Sequence, residues 1–190
     1  MSVVLTKNEK LNLTKKVEGL KTVIVGLGWD AAKKGLFGRT HDIDCDASAI
    51  ILDKNGKYKS VVYFNNRSYG HNYVYHHGDN LTGAGAGDDE QITVKLEEMP
   101  EDVGRVIFVV NIYNCTSRNQ HFGMIKNAFI RLVDKSTNKE ICRYNLSENY
   151  DKKTAMIFAE VYKENNEWKF NAVGEGTNDR SISEMTSRYK

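Results

Sequence analysis

Residues Val106-Ile107-Phe108-Val109-Val110 are apolar at every position and lie between polar stretches of chain. A run of this length with no polar break suits a central strand covered on both faces. A buried helical turn would share its composition, and the Val and Phe content favours the strand. A strand buried on two sides needs neighbours in its own sheet and a second layer against it. Other short β-branched and aromatic runs, separated by Gly, Asn, Asp and Lys, supply candidates.

Along Lys21–Trp29, Val23, Val25, Leu27 and Trp29 fall on one face of an extended chain, because side chains alternate with period two. Ala47–Leu52 leads through Asp53-Lys54-Asn55-Gly56 into Tyr58–Phe64, and Asn-Gly between two such runs predicts an antiparallel hairpin. Lys163-Glu164-Asn165-Asn166 predicts a second hairpin between Ala155–Lys163 and Glu167–Val173. Further strands are expected at Val74–His76, Gln91–Leu96, Arg105–Tyr113, Ala128–Val133 and Ile141–Asn145. About ten short strands without strong helices predict an all-β fold, a two-sheet β-sandwich with long acidic loops at one end. With 190 residues and one proline, Pro100, the chain reads as a single domain, 1–190, with a short tail from about Thr177.

Charge narrows the function. The 27 Lys and Arg nearly balance the 25 Asp and Glu, so no overall field draws the protein to nucleic acid or an anionic membrane. The lysines at 7, 10, 15, 16 and 21 read as a solvated face. No apolar stretch approaches the roughly 20 residues that cross a bilayer, and the expected location is the cytoplasm. Cys45, Cys115 and Cys142 are far apart and without CxxC spacing, so reduced thiols are expected rather than a zinc site.

Local chemistry concentrates in Gly78-Asp79-Asn80-Leu81-Thr82-Gly83-Ala84-Gly85-Ala86-Gly87-Asp88-Asp89-Glu90. Alternating glycines let such a chain wrap around something small. Phosphate would be repelled by the four acids, and the Lys-Ser/Thr ending of a phosphate-binding loop is missing. A cation fits better, and Ca2+ takes six to eight oxygens of the kinds this loop carries. Asp44 and Asp46, spaced two apart, lie on one side of an extended segment and add two carboxylates, while Cys45 between them points into the sheet packing. Each unscreened carboxylate pair within about 5 Å costs on the order of 3 kcal/mol, which an ion between them reverses. The same residues also describe a solvated turn.

The loop, preceded by Asp44-Cys45-Asp46-Ala47-Ser48, resembles the TerD family of tellurite-resistance and general stress proteins. Val25-Gly26-Leu27-Gly28-Trp29-Asp30, Phe122-Gly123, Asn127–Val133 and Trp168-Lys169-Phe170 extend the likeness along nearly the whole chain. The resemblance implies a calcium-binding β-sandwich with no enzymatic activity, expressed under stress and working beside a TerC-like membrane protein. Carried over residue by residue, the metal candidates are Asp44, Asp46, Asp79, Asn80, Asp88, Asp89 and Glu90, with Asp30 as a further candidate. Ala86 stands where family loops commonly carry an acid, which implies weaker binding or one ion fewer.

Other readings are a calcium-dependent adaptor at the membrane surface and a divalent-metal phosphoesterase. Ser48, His41 and Asp44 lack a nucleophile-elbow sequence, so catalysis through them is not expected. His76-His77 beside the loop reads as structural, with a hydrogen bond to the loop as the alternative. Tyr58, Tyr63, Tyr69, Tyr73 and Tyr75 read as core and edge packing rather than a base-stacking belt.

Overall fold

The computed structural model describes residues 1–31, 43–79 and 87–190, with the side chains of Ala31 and Asp79 set aside. Among the described residues, thirteen strands, numbered in chain order, form two sheets. The seven-stranded sheet runs β1 (Val3–Leu5), β11 (Lys139–Asn145), β10 (Ile125–Asp134), β3 (Thr22–Ala31), β8 (Glu90–Lys95), β7 (Val74–Asp79), β6 (Ser68–Tyr69). The six-stranded sheet runs β2 (Lys10–Asn12), β13 (Glu167–Thr177), β12 (Ala155–Glu164), β9 (Val103–Ile112), β4 (Cys45–Asp53), β5 (Tyr58–Val62). Apart from the parallel pair β1–β11, the described pairings are antiparallel.

The two sheets close on one core. Val23, Val25 and Leu27 of β3, Ile92 and Val94 of β8, and Ile130 and Leu132 of β10 meet Ala47, Ala49 and Ile51 of β4 and Phe108 and Val110 of β9. All of these side chains are buried, so the period-two pattern read along Lys21–Trp29 is the pattern of the sheet interior.

Why Val106–Val110 carries no polar residue is also visible. Val106, Phe108 and Val110 enter the main core, whereas Ile107 and Val109 face the other way into a second cluster with Ile50, Leu52, Ala155, Ile157 and Met185. Met185 belongs to the helix Ile182–Ser187, which covers the outer face of the six-stranded sheet. Ser181 caps this helix, accepting from Glu184 N at 3.2 Å, while the Glu184 carboxylate accepts from Arg180 N at 2.8 Å. The segment expected as a short tail from about Thr177 is therefore docked. Tyr58 N, on edge strand β5, donates to Tyr189 O at 2.8 Å, so the same segment also occupies part of a sheet edge.

Each of the ten expected strands has a counterpart, with ends moved by a few residues; β1, β2 and β6 are additions. Both hairpins form, by different turns. Asn165 and Asn166 both take positive φ, 53° and 61°, giving a two-residue turn between Glu164 and Glu167. In the first hairpin only Gly56 is left-handed, at φ 80°, and Asp53 organises the turn by accepting from Asn55 N at 2.7 Å and Lys57 N at 2.9 Å. No described helix is long and apolar enough to cross a membrane.

Two outcomes follow from this packing. Met185→Ala removes a fully enclosed side chain from the outer cluster and should cost about 2–4 kcal/mol, read as a lower urea midpoint at unchanged m-value. The Lys57 and Asn55 amides and nearby lysine charge hold the Asp53 carboxyl below its usual range, against a smaller opposing effect of burial. Its contribution is present above the unfolded-chain value and lost as pH falls through the lower folded value. Asp53→Asn should therefore flatten the acid limb of melting temperature against pH, below about pH 4.

Candidate metal site at the acidic end

Asp88 and Asp89 lead into β8, which begins at Glu90; because Asp88 precedes the strand, its side chain is free of the strand's alternation and leaves on the opposite side from Glu90. Glu90 points between the sheets and is 4% exposed. Its Oε2 accepts from Ala47 N at 3.1 Å and from His76 Nε2 at 2.9 Å. His76 Nδ1 accepts from Gly78 N at 2.9 Å, which assigns the ring proton to Nε2, and that nitrogen also lies 3.1 Å from Ala47 O. One buried carboxylate and one buried imidazole thus join β7 and β8 of one sheet to β4 of the other. The bond from His76 to Glu90 is the alternative that the sequence offered beside a structural role, and both hold; the reach to Ala47 across the sandwich was not legible.

Asp88 turns to the outer face of the seven-stranded sheet, where its side chain is 1% exposed. Arg131 Nε donates to Oδ1 at 2.7 Å and Nη2 to Oδ2 at 3.0 Å, a two-pronged pair, and Gln91 Nε2 donates to Oδ2 at 2.9 Å. A Cβ on Gly26 would stand 2.2 Å from Asp88 Cγ, so the bare backbone of Gly26 makes room for this carboxylate. Asp89 is tied to β3: its N donates to Leu27 O at 2.8 Å and its Oδ2 accepts from Trp29 N at 2.6 Å.

Asp44 and Asp46 flank buried Cys45 at the start of β4, as alternation predicts. The Asp44 side chain is half exposed, with Arg118 Nη1 4.0 Å from its Oδ2. Asp30 is exposed near the end of β3 and accepts from Asn127 Nδ2 at 2.8 Å, Asn127 being left-handed (φ 53°) at the bulge of β10. Asp79 pairs opposite Glu90 at the end of β7. Asn80 and Ala86 lie outside the described residues.

The acids act on common neighbours. Burial pushes the Cys45 thiol well above its usual range, and the charges of Asp46, Glu90, Asp44 and Asp89 push the same way. Burial also raises the Asp89 carboxyl, opposed by the Trp29 amide and reinforced by Asp30 and Asp88. Among the described residues no three Asp, Glu, His or Cys side chains converge as a ready metal cluster. The donor chemistry still divides clearly. Asp30 and Asp44 present oxygen ligands near the surface, and Asp89 retains Oδ1, whereas Asp88 has both oxygens engaged by Arg131 and Gln91. The first group fits a hard cation such as calcium; Asp88 fits a structural ion pair.

A two-sheet β-sandwich with carboxylates gathered at one loop end is the class that fold and site define. The TerD domain family model matches residues 1–189, and the chain belongs to that family. It is 48% identical to stress response protein SCP2 of Bacillus subtilis (strain 168), with all of both chains covered. It is 45% identical to tellurium resistance protein TerD of Serratia marcescens, over 93% of this chain and 91% of that one. The solved structure of a TerD homologue from Streptomyces coelicolor A3(2) superposes with a TM-score of 0.68 at 23% identity, covering 90% of this chain and 99% of that one, and shares the fold.

Removing Arg131 would leave Asp88 as a buried charge with Gln91 as its remaining described side-chain donor. Arg131→Ala should cost about 3–5 kcal/mol, and Arg131→Ala combined with Asp88→Asn should cost less than the single change. A denaturant double-mutant cycle checks this, and additive losses would contradict the pairing.

Proposed function

We propose that this TerD-family protein is a non-enzymatic calcium-binding module of a cytoplasmic stress response, in which the ion orders the acidic end and so creates a surface for a partner. The observation that supports the reading most is geometric: Glu90 accepts from Ala47 N, beside Asp46, and Asp89 accepts from Trp29 N, beside Asp30, which brings the acids of β3, β4 and the start of β8 to one end of the sandwich. Like charges gathered around one end of a folded chain oppose each other, and a divalent cation reverses the sign of that interaction. Asp30, Asp44, Asp46 and Asp89, with Asp79 and Asn80 from the loop, would hold the ion. Glu90 and Asp88 would fix the strands that carry them.

The resemblance of the whole chain to stress-response and tellurium-resistance proteins supports the cellular setting. A TerC-like membrane protein is the proposed partner by that family resemblance. Binding confined to the folded state raises stability by about 2.7 kcal/mol at a hundredfold excess of ion over Kd.

Isothermal titration of metal-free protein should show calcium heat, and Asp44→Asn with Asp46→Asn should weaken binding at least tenfold while leaving the fold intact. No heat in the parent protein, or undiminished affinity in the double variant, would contradict the site.

A further inference from the structure

A cleft of about 580 Å³ opens on the outer face of the six-stranded sheet, with Asp46 of the acidic end on its border. Ser48 of β4 and Asn111 of β9 line it, 1% and 7% exposed. Neither side chain has a hydrogen-bond partner among the described residues. Both face the cleft, where solvent or a ligand completes their hydrogen bonds.

The walls have a different chemistry. Tyr63 and Phe64 follow β5 on one flank of β4, and Tyr113 follows β9 on the other. Strands β5 and β9 are two inter-strand spacings apart, about 10 Å, a width that admits one flat ring between side chains rising from either flank. Phe64 and Tyr113 are two of the four large hydrophobic residues exposed among the described residues, so apolar exposure is concentrated here. Arg180 lies at the mouth, and its guanidinium has no carboxylate partner among the described residues.

A hydrogen-bonding floor of Ser48 and Asn111 bordered at one side by the Asp46 carboxylate, aromatic flanks and the Arg180 guanidinium at the mouth narrow the class of ligand. We propose that this cleft binds a planar heteroaromatic ring bearing an anionic arm, the chemistry of a nucleoside monophosphate. The ring packs against Phe64 and Tyr113, as bases do on aromatic side chains. Its edge meets the Asn111 amide, which offers a donor and an acceptor side by side, and the Ser48 hydroxyl. The arm reaches Arg180, directed away from the Asp46 carboxylate that also borders the cleft. The volume lies within the range of small-molecule sites.

Titration calorimetry of the full chain in EDTA, so that no divalent ion contributes, tests this independently of calcium binding. Adenosine monophosphate and uridine monophosphate are the probes, with adenosine and ribose 5-phosphate as the ring-only and arm-only controls. At least one monophosphate should bind, at least tenfold more tightly than either of its parts. Asn111→Leu should weaken that binding at least tenfold. Arg180→Ala, a change at an exposed position, should reduce the monophosphate to the affinity of the nucleoside. Absence of binding by both monophosphates, equal affinity for ribose 5-phosphate, or full affinity in the Arg180→Ala protein would overturn the proposal.

Discussion

The contact between Glu90, His76 and the backbone of Ala47 is where the two sheets become one object at the acidic end. Elsewhere apolar side chains do most of the holding, setting distance without fixing direction, with a Trp168 Nε1 bond to Leu96 O at 3.1 Å at the opposite end of β8. Here a carboxylate from β8 bonds the backbone amide of β4, and a histidine from β7 holds the same carboxylate. A buried polar group is expensive when unpaired, so this arrangement tolerates few alternative registers. Asp46, the residue before Ala47, and Asp89, the residue before Glu90, are placed by it. The spacing between the strands that carry surface-facing carboxylates is thus set by acids that face inward.

The two flanking acids extend the same logic. Asp88 spends its charge on Arg131 of β10, and Asp89 takes the Trp29 amide of β3. Three consecutive acids therefore reach four different strands: β10, β3, β4 and β7. Gly26 is part of that arrangement, because its missing side chain is the space that Asp88 occupies. A string of acids that looks uniform in sequence has divided roles in three dimensions: fastening at Asp88 and Glu90, and an oxygen left over at Asp89.

Much of the sandwich could be read from local pattern. Alternation in Val23, Val25 and Leu27, the unbroken run at Val106–Val110 and the Asn-containing turns are local properties, and each strand appears where they place it. Strands β1 and β2 escaped because three residues carry no period and their pairing with β11 and β13 spans most of the chain. The helix Ile182–Ser187 did leave a signal, Ser181-Ile182-Ser183-Glu184 before Met185, a capping box ahead of an apolar residue. Of the site, the clustering of acids was legible, as was the inward turn of Cys45. The commitment of Asp88 was not, since it depends on Arg131, 43 positions away. Nor did tyrosine content distinguish packing from recognition: Tyr58 supports the docked C-terminal segment, whereas Tyr63 lines an open cleft.

The division of labour at the acidic end confines the proposed calcium binding to that end. An amide-resolved NMR titration of metal-free protein with calcium tests this most directly. Shifts centred on Asp30, Asp44–Ala47, Asp79 and Asp89, with the hairpins at Asp53–Gly56 and Asn165–Asn166 unmoved at the other end of the sandwich, are the expected result. No saturable shift, or shifts centred on those distant hairpins, would contradict it.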